Sequence, residues 1–285
     1  MSSRDVGRPV TVGVADKQQA AVAYAAEEAR LHACALRVVH AYTLPPTPPQ
    51  VVSNAYGFDI DASFRESGRE VLAAAAAHVS AQHGDVTVHQ VLEQGSASTV
   101  LAATSATSRL LVIGSDATRP WYTRLFQSRV SRDLAQQARC PVIVVPDIWR
   151  AETAGTGVTL LLDSETVAHG PLRYAFEHAS RHECVLHVVH LQAVDGSHDE
   201  AVPWHDMRRL VESWGSTYPH VWVKTQVVTA DADVVTIATL ERTGLLVLGR
   251  PHTRHAVPCL HPSLAEAVIE HADCPVAVVP ADYDA

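Results

Sequence analysis

The chain has 285 residues, 47% of them hydrophobic and 19% charged, with a formal net charge of −9. That balance excludes a disordered chain and leaves room for one large domain or two of ordinary size. The acidic surplus argues against a nucleic-acid binder, which needs a basic surface, and no apolar run is long enough to span a bilayer.

The N-terminal MSSRDVGRPVTV lacks the apolar core of a signal peptide, so the cytoplasm is the expected location. Val10 to Val14 is a short apolar run and reads as a buried strand. Lys17 to Cys34 follows, with Ala21, Tyr24, Ala25, Ala29 and Ala33 recurring near helical spacing. Ala35 to Tyr42 is a second strand. Leu44 to Gly57 carries Pro45, Pro46, Pro48 and Pro49, a density that stops regular structure. Asp61 to His83 reads as an Ala-rich helix and Asp85 to Leu92 as an alternating strand. Gly95-Ser96 opens a helix that runs to about Thr107. Leu110 to Gly114 is a fourth strand, Ser131 to Arg139 lies in a fourth helix, and Pro141 to Val145 is a fifth strand. Apolar strands alternating with helices predict a parallel sheet covered on both faces.

Asp147 to Gly157 reads as a connecting segment, after which the pattern restarts. Val158 to Leu162 repeats Val10 to Val14 at an offset of 148, and Val185 to His190 repeats Ala35 to His40 at 150. Val221 to Val227 repeats Val86 to Leu92 at 135, Gly249 repeats Gly114 at 135, and Cys274 repeats Cys140 at 134. The drop from 150 to 135 means that the second copy lacks 15 residues of the loop-plus-helix segment between strands two and three. A repeat of this length is a duplicated domain. The predicted division is residues 1–147, a linker at 148–157, and residues 158–285. Cys34, Cys140, Cys184 and Cys274 fall at matched repeat positions, as structural residues do, and form neither a disulfide framework nor a redox pair.

Three sets of residues carry a family resemblance: the VVH strand ends (Val38 to His40 and Val188 to His190), LLVIGS and LLVLGR, and ARCPVIVVP and ADCPVAVVP. With these the chain resembles the universal stress protein family, as a tandem two-domain member, over nearly its whole length. The resemblance implies two domains of the HUP, or adenine nucleotide alpha hydrolase-like, layout. Each would be a five-stranded parallel sheet with helices on both faces. It also implies a domain pair made covalent, an intramolecular pseudo-dimer with Pro141 to Val145 near Pro275 to Val279. Such a chain is further expected to form a homodimer. The expected function is a non-enzymatic role in stress response, without nucleic-acid or membrane partners.

Many members of that family bind ATP through Gly-x2-Gly-x9-Gly-Ser/Thr after strand four, with an Asp after strand one. In the second copy Asp163, Gly249 and Ser263 match, while His252 and Pro262 replace the remaining glycines. Leu248 and Leu264 flank the matched positions. In the first copy Gly114 matches, Ala117 replaces the second glycine, Ser128-Arg129 followed by Val130 stands at the Gly-Ser position, and Ala15 replaces the Asp, with Asp16 displaced by one. The site is therefore degenerate, most of all in the first copy. Both loops are rich in basic residues, Arg119, Arg124, Arg129 and Arg132 in one and Arg250, His252, Arg254, His255 and His261 in the other. These suit an anionic small molecule, an adenine nucleotide or another.

His252, His255, Cys259 and His261 have metal-ligand identities, but the first copy has no counterpart and no metal is expected. His40 and His190 end equivalent strands and are expected to bond a backbone group. His178 and His182 share one helix face, and the flanking Glu177 and Glu183 place that face at the surface. P-loop, dinucleotide-binding, nucleophile-elbow and zinc-protease motifs do not occur, so no enzyme is expected. The alternatives are a weak ATPase or an interaction scaffold that works without ATP.

Overall fold

The computed structural model describes residues 7–15, 18–44, 60–115, 134, 137–163, 169–192, 204–229, 243–250 and 274–284. The first half runs β1 (Val10–Gly13), α1 (Gln19–Leu31), β2 (Leu36–Tyr42), α2 (Ile60–Gln82), β3 (Val88–Gln94), α3 (Ala97–Ser105), β4 (Leu110–Ser115) and β5 (Val142–Pro146). The second runs β6 (Gly157–Asp163), α4 (His169–Arg181), β7 (Leu186–Gln192), α5 (Trp204–Thr217), β8 (Val223–Thr229), β9 (Thr243–Gly249) and β10 (Val276–Val279). The Pro-rich loop expected at Leu44 to Gly57 lies almost wholly outside the described residues. Of the fourth helix, Leu134 and Gln137 are helical, and by Ala138 the chain has left it.

Side chains alternate across each strand, and the core divides accordingly. Val10, Val12, Leu110 and Val112 face one layer with α1, α2, α4 and α5, and this layer is continuous across both halves. Leu111, Ile113, Val142 and Val144 face the other, with Leu101 of α3 and Leu134. Helices thus cover both faces. None of the described helices is long and apolar enough to cross a membrane.

Among the described residues, ten strands form one sheet in the order β3-β2-β1-β4-β5-β10-β9-β6-β7-β8. Every pairing is parallel except the central one. There β10 runs antiparallel to β5, with Val276 opposite Val144, Ala277 opposite Ile143 and Val278 opposite Val142. The expected approach of the two final strands is direct backbone pairing, and the two five-stranded sheets are one. Small apolar residues buried on both faces explain it, because neither edge could be left exposed without unpaired backbone groups.

The halves repeat in detail. Helix α2 has 23 residues and α5 has 14, so most of the drop in repeat offset lies in this helix. Both α1 and α4 end in a left-handed residue, Ala33 at φ 49° and Glu183 at φ 51°, which turns the chain into the next strand. Buried hydroxyl pairs join matching positions, Thr11 with Ser108 at 2.7 Å and Thr159 with Thr243 at 2.8 Å. Edge-to-face aromatic pairs do the same, Tyr24 with Trp149 and Tyr174 with Tyr283. Trp149 lies in the expected linker. That segment packs its ring on the core and carries a short 3₁₀ turn at Ala151–Thr153, so it is a fitted connection.

Two boundaries move. The third strand starts at Val88, opposite Leu36, and runs on to Gln94. Its counterpart in the second half runs from Val223, opposite Leu186, to Thr229.

Candidate functional site

In each half the chain builds the sheet outward in one direction and then crosses back, so the connections diverge between β1 and β4 and between β6 and β9. At such a switch point the carboxyl ends of two neighbouring strands leave a crevice, where open α/β sheets take their ligands. Leu161 lies opposite Leu248. Continued, that register sets Leu162 opposite Gly249, the last residue of β9, with Asp163, the last residue of β6, one position further toward the carboxyl-end edge. Leu248 is buried beneath them. A Cβ added at Gly249 would meet Pro171 Cγ at 3.4 Å, an ordinary contact.

The equivalent crevice of the first half differs. Gly13 lies opposite Ile113, so Ala15 stands where the second half has Asp163. Gln18 folds its side chain over Gly114, and a Cβ there would lie 3.0 Å from Gln18 Cδ. The Gln18 carboxamide oxygen accepts the Ala15 N–H at 3.1 Å, which fixes the amide in that place. An uncharged amide therefore sits against the motif glycine of the first half, and Ala15 stands in the place of the acid.

Ser128, Arg129, Val130, Ser263 and Leu264 lie outside the described residues, as do the other basic loop residues except Arg250. Arg250 turns away from the crevice. Its guanidinium donates to the Ala138 carbonyl of the first half, and burial, the largest influence on it, lowers its pKa. With Arg8, Arg109 and Arg139 it lines a cleft of about 430 Å³ between the halves, which none of Gly114, Asp163 and Gly249 lines.

His40 behaves as expected: its Nδ1–H donates to the Val14 carbonyl at 2.9 Å. His190 occupies the matching place and is buried. The expected surface position of His178 is wrong. Its side chain is 4% exposed, because α4 presents that face to α1 of the other half while Glu177 points away to Arg173 and Tyr283.

The model of the universal stress protein family matches residues 8–146 and again 158–280. The chain belongs to the universal stress protein family. Among curated members it is 27% identical to Universal stress protein Rv2623 of Mycobacterium tuberculosis (strain ATCC 25618 / H37Rv), over 98% of each chain. It is 26% identical to Universal stress protein Rv1996 of the same organism, over 98% of this chain and 96% of that one. Among solved structures, a universal stress protein from Archaeoglobus fulgidus DSM 4304 superposes with a TM-score of 0.67 at 16% identity, covering 94% of this chain and 95% of that one. At these identities the structural match speaks for the fold, and the two family matches make this a tandem universal stress protein.

Proposed function

We propose that this universal stress protein is a non-catalytic regulator, acting in the cytoplasm, that binds one adenine nucleotide per chain in its second half. The supporting observation is that β6 ends in Asp163 and the neighbouring β9 ends in Gly249 at their switch point, against Ala15 and the Gln18-covered Gly114 in the first half. Asp163 offers a carboxylate acceptor for ribose hydroxyls or the adenine amino group. Leu248 supplies an apolar floor, and Gly249 allows close approach of the chain to the ligand. Ser263 and Leu264 would complete the site at the start of the next helix, where free N–H groups attract phosphate. In the first half Gly114, Ser128, Arg129 and Val130 keep only a remnant of it.

Calorimetry with ATP, ADP, AMP and a cyclic nucleotide tests this reading. It predicts heat from at least one of them, abolished by Asp163→Ala. No heat with any of the four would overturn it. Phosphate release from ATP that Asp163→Ala abolishes would replace the regulator with a weak ATPase.

A further inference from the structure

Helices α1 and α4 meet across the two halves through their last turns, and the chain's repeat sets Glu28 against His178 and His32 against His182. Glu28 is 1% exposed, an extreme place for a carboxylate. Its Oε1 accepts His182 Nε2–H at 2.9 Å, and its Oε2 lies 3.7 Å from His32 Nε2. The rings of His178 and His182 stack with centroids 3.9 Å apart. Glu28 Oε2 and His178 Nδ1 are both buried without a hydrogen-bond partner, and so is the Tyr174 hydroxyl. Buried polar atoms left so are destabilising, and a bound ion would satisfy them. One ligand atom each from Glu28, His178 and His182 lies within 4.8 Å of the others.

We infer that this interdomain cluster is a structural site for a divalent transition-metal ion of the zinc class, bound by Glu28, His178 and His182 with His32 as the fourth donor. Tetrahedral zinc at about 2.0–2.2 Å from nitrogen and oxygen ligands sets them roughly 3.3 Å apart, so the Glu28, His178 and His182 donors shift inward by about 1 Å, the stacked His178 and His182 rings turn out of parallel, and His32 swings in from beside Glu28. Histidines four apart on one helix are neighbours on its surface and can share an ion. Three imidazoles and one carboxylate exclude magnesium and calcium, which require oxygen ligands. The fourth donor closes the set, as structural zinc sites are closed. His182, 26% exposed, leaves a way in from solvent. The cluster lies at the helix ends that lead into the amino ends of β2 and β7, remote from the carboxyl-end nucleotide crevice. The ion would join the two halves where their helices meet, in addition to the β5–β10 seam.

The experiment uses the full chain without a His-tag, stripped with chelator and then dialysed against zinc. Metal analysis should give one zinc per chain, with affinity at least about tenfold weaker in Glu28→Gln and in His178→Gln. The triple substitution His252→Gln, His255→Gln and His261→Gln should leave binding unchanged. Should His178→Gln fail to fold, His182→Gln, at the cluster's edge, carries the same expectation. Cobalt added to the unmodified chain should show the visible bands of tetrahedral coordination. Absence of stoichiometric zinc and of those bands would mean that water alone fills the cluster and overturns the inference. Zinc retained in Glu28→Gln and His182→Gln but lost in the loop variant would overturn it as well.

Discussion

His182 of the second half donates from Nε2 to the Glu28 carboxylate of the first half at 2.9 Å, so the two halves share a buried charge. Burial opposes the ionised Glu28. His178, His182 and Arg181 outweigh it and hold the carboxyl below its ordinary value. His178 is neutral above about pH 3, so at neutral pH that offset falls to His182 and Arg181. Burial, the largest influence on both, pulls His178 down to about 3 and His32 to about 2.

Acid should therefore unfold the chain early. The unfolded chain protonates these two histidines near pH 6.5 and the folded one does not until far lower. Between those limits the unfolded state holds more protons, so stability falls as pH falls, by up to about 1.4 kcal/mol per pH unit for each histidine. Glu28 adds to the loss once pH drops below 4.5 towards its depressed folded value. Urea unfolding in chelator between pH 7.5 and 4.5 should show the decline, and the double change His32→Gln and His178→Gln should flatten it. An unchanged slope in that variant would contradict the assignment.

The seam predicts that the halves unfold together. Ile143 is fully buried opposite Ala277, and Ile143→Ala should cost about 2–4 kcal/mol. Far-ultraviolet circular dichroism and tryptophan fluorescence should report one coincident transition in both proteins. Two separated transitions in the unmodified chain would mean that the seam does not couple the halves.

Glu183 holds φ 51°, a conformation that costs side-chain-bearing residues about 1–2 kcal/mol. Glu183→Gly should raise stability, by up to about 1 kcal/mol after the entropy that glycine adds to the unfolded chain. Denaturant midpoints measure this, and a lower midpoint would show that the Glu183 side chain earns its place through contacts.

Burial pushes the Cys140 thiol up to about 12. It should resist alkylation in the folded protein and react only on unfolding, because the thiolate is the reactive form. Peptide-level mass spectrometry after iodoacetamide treatment checks this. Labelling of Cys140 in the native state at the rate of an exposed thiol would contradict it.

Strands and their order of appearance were legible because runs such as LLVIGS and CPVIVVP are buried on both faces and leave no other solution. The approach of β5 and β10 was expected from the family resemblance and was not readable from the residues of the two strands alone. The Glu28–His178 cluster was not legible. Glu177 and Glu183 flank His178 and suggest solvent, and the sequence does not say which helix faces meet at the pseudo-twofold axis. An alignment of the halves at the 150 offset pairs Glu28 with His178 and His32 with His182, and that was the available signal. Arg250 misled for a similar reason. Its charge suits a phosphate, but its reach to the Ala138 carbonyl depends on a neighbour 112 residues away. At the crevice Ala15 and Asp163 were readable as a difference between the copies, whereas the placement of Gln18 over Gly114 required coordinates.

The most direct test of the central claim is nucleotide stoichiometry by native mass spectrometry of the full chain with ATP. One added nucleotide per chain is predicted, lost in Asp163→Ala and retained in Gln18→Ala. Two nucleotides per chain, none, or one that survives Asp163→Ala would contradict a single site at the β6/β9 crevice.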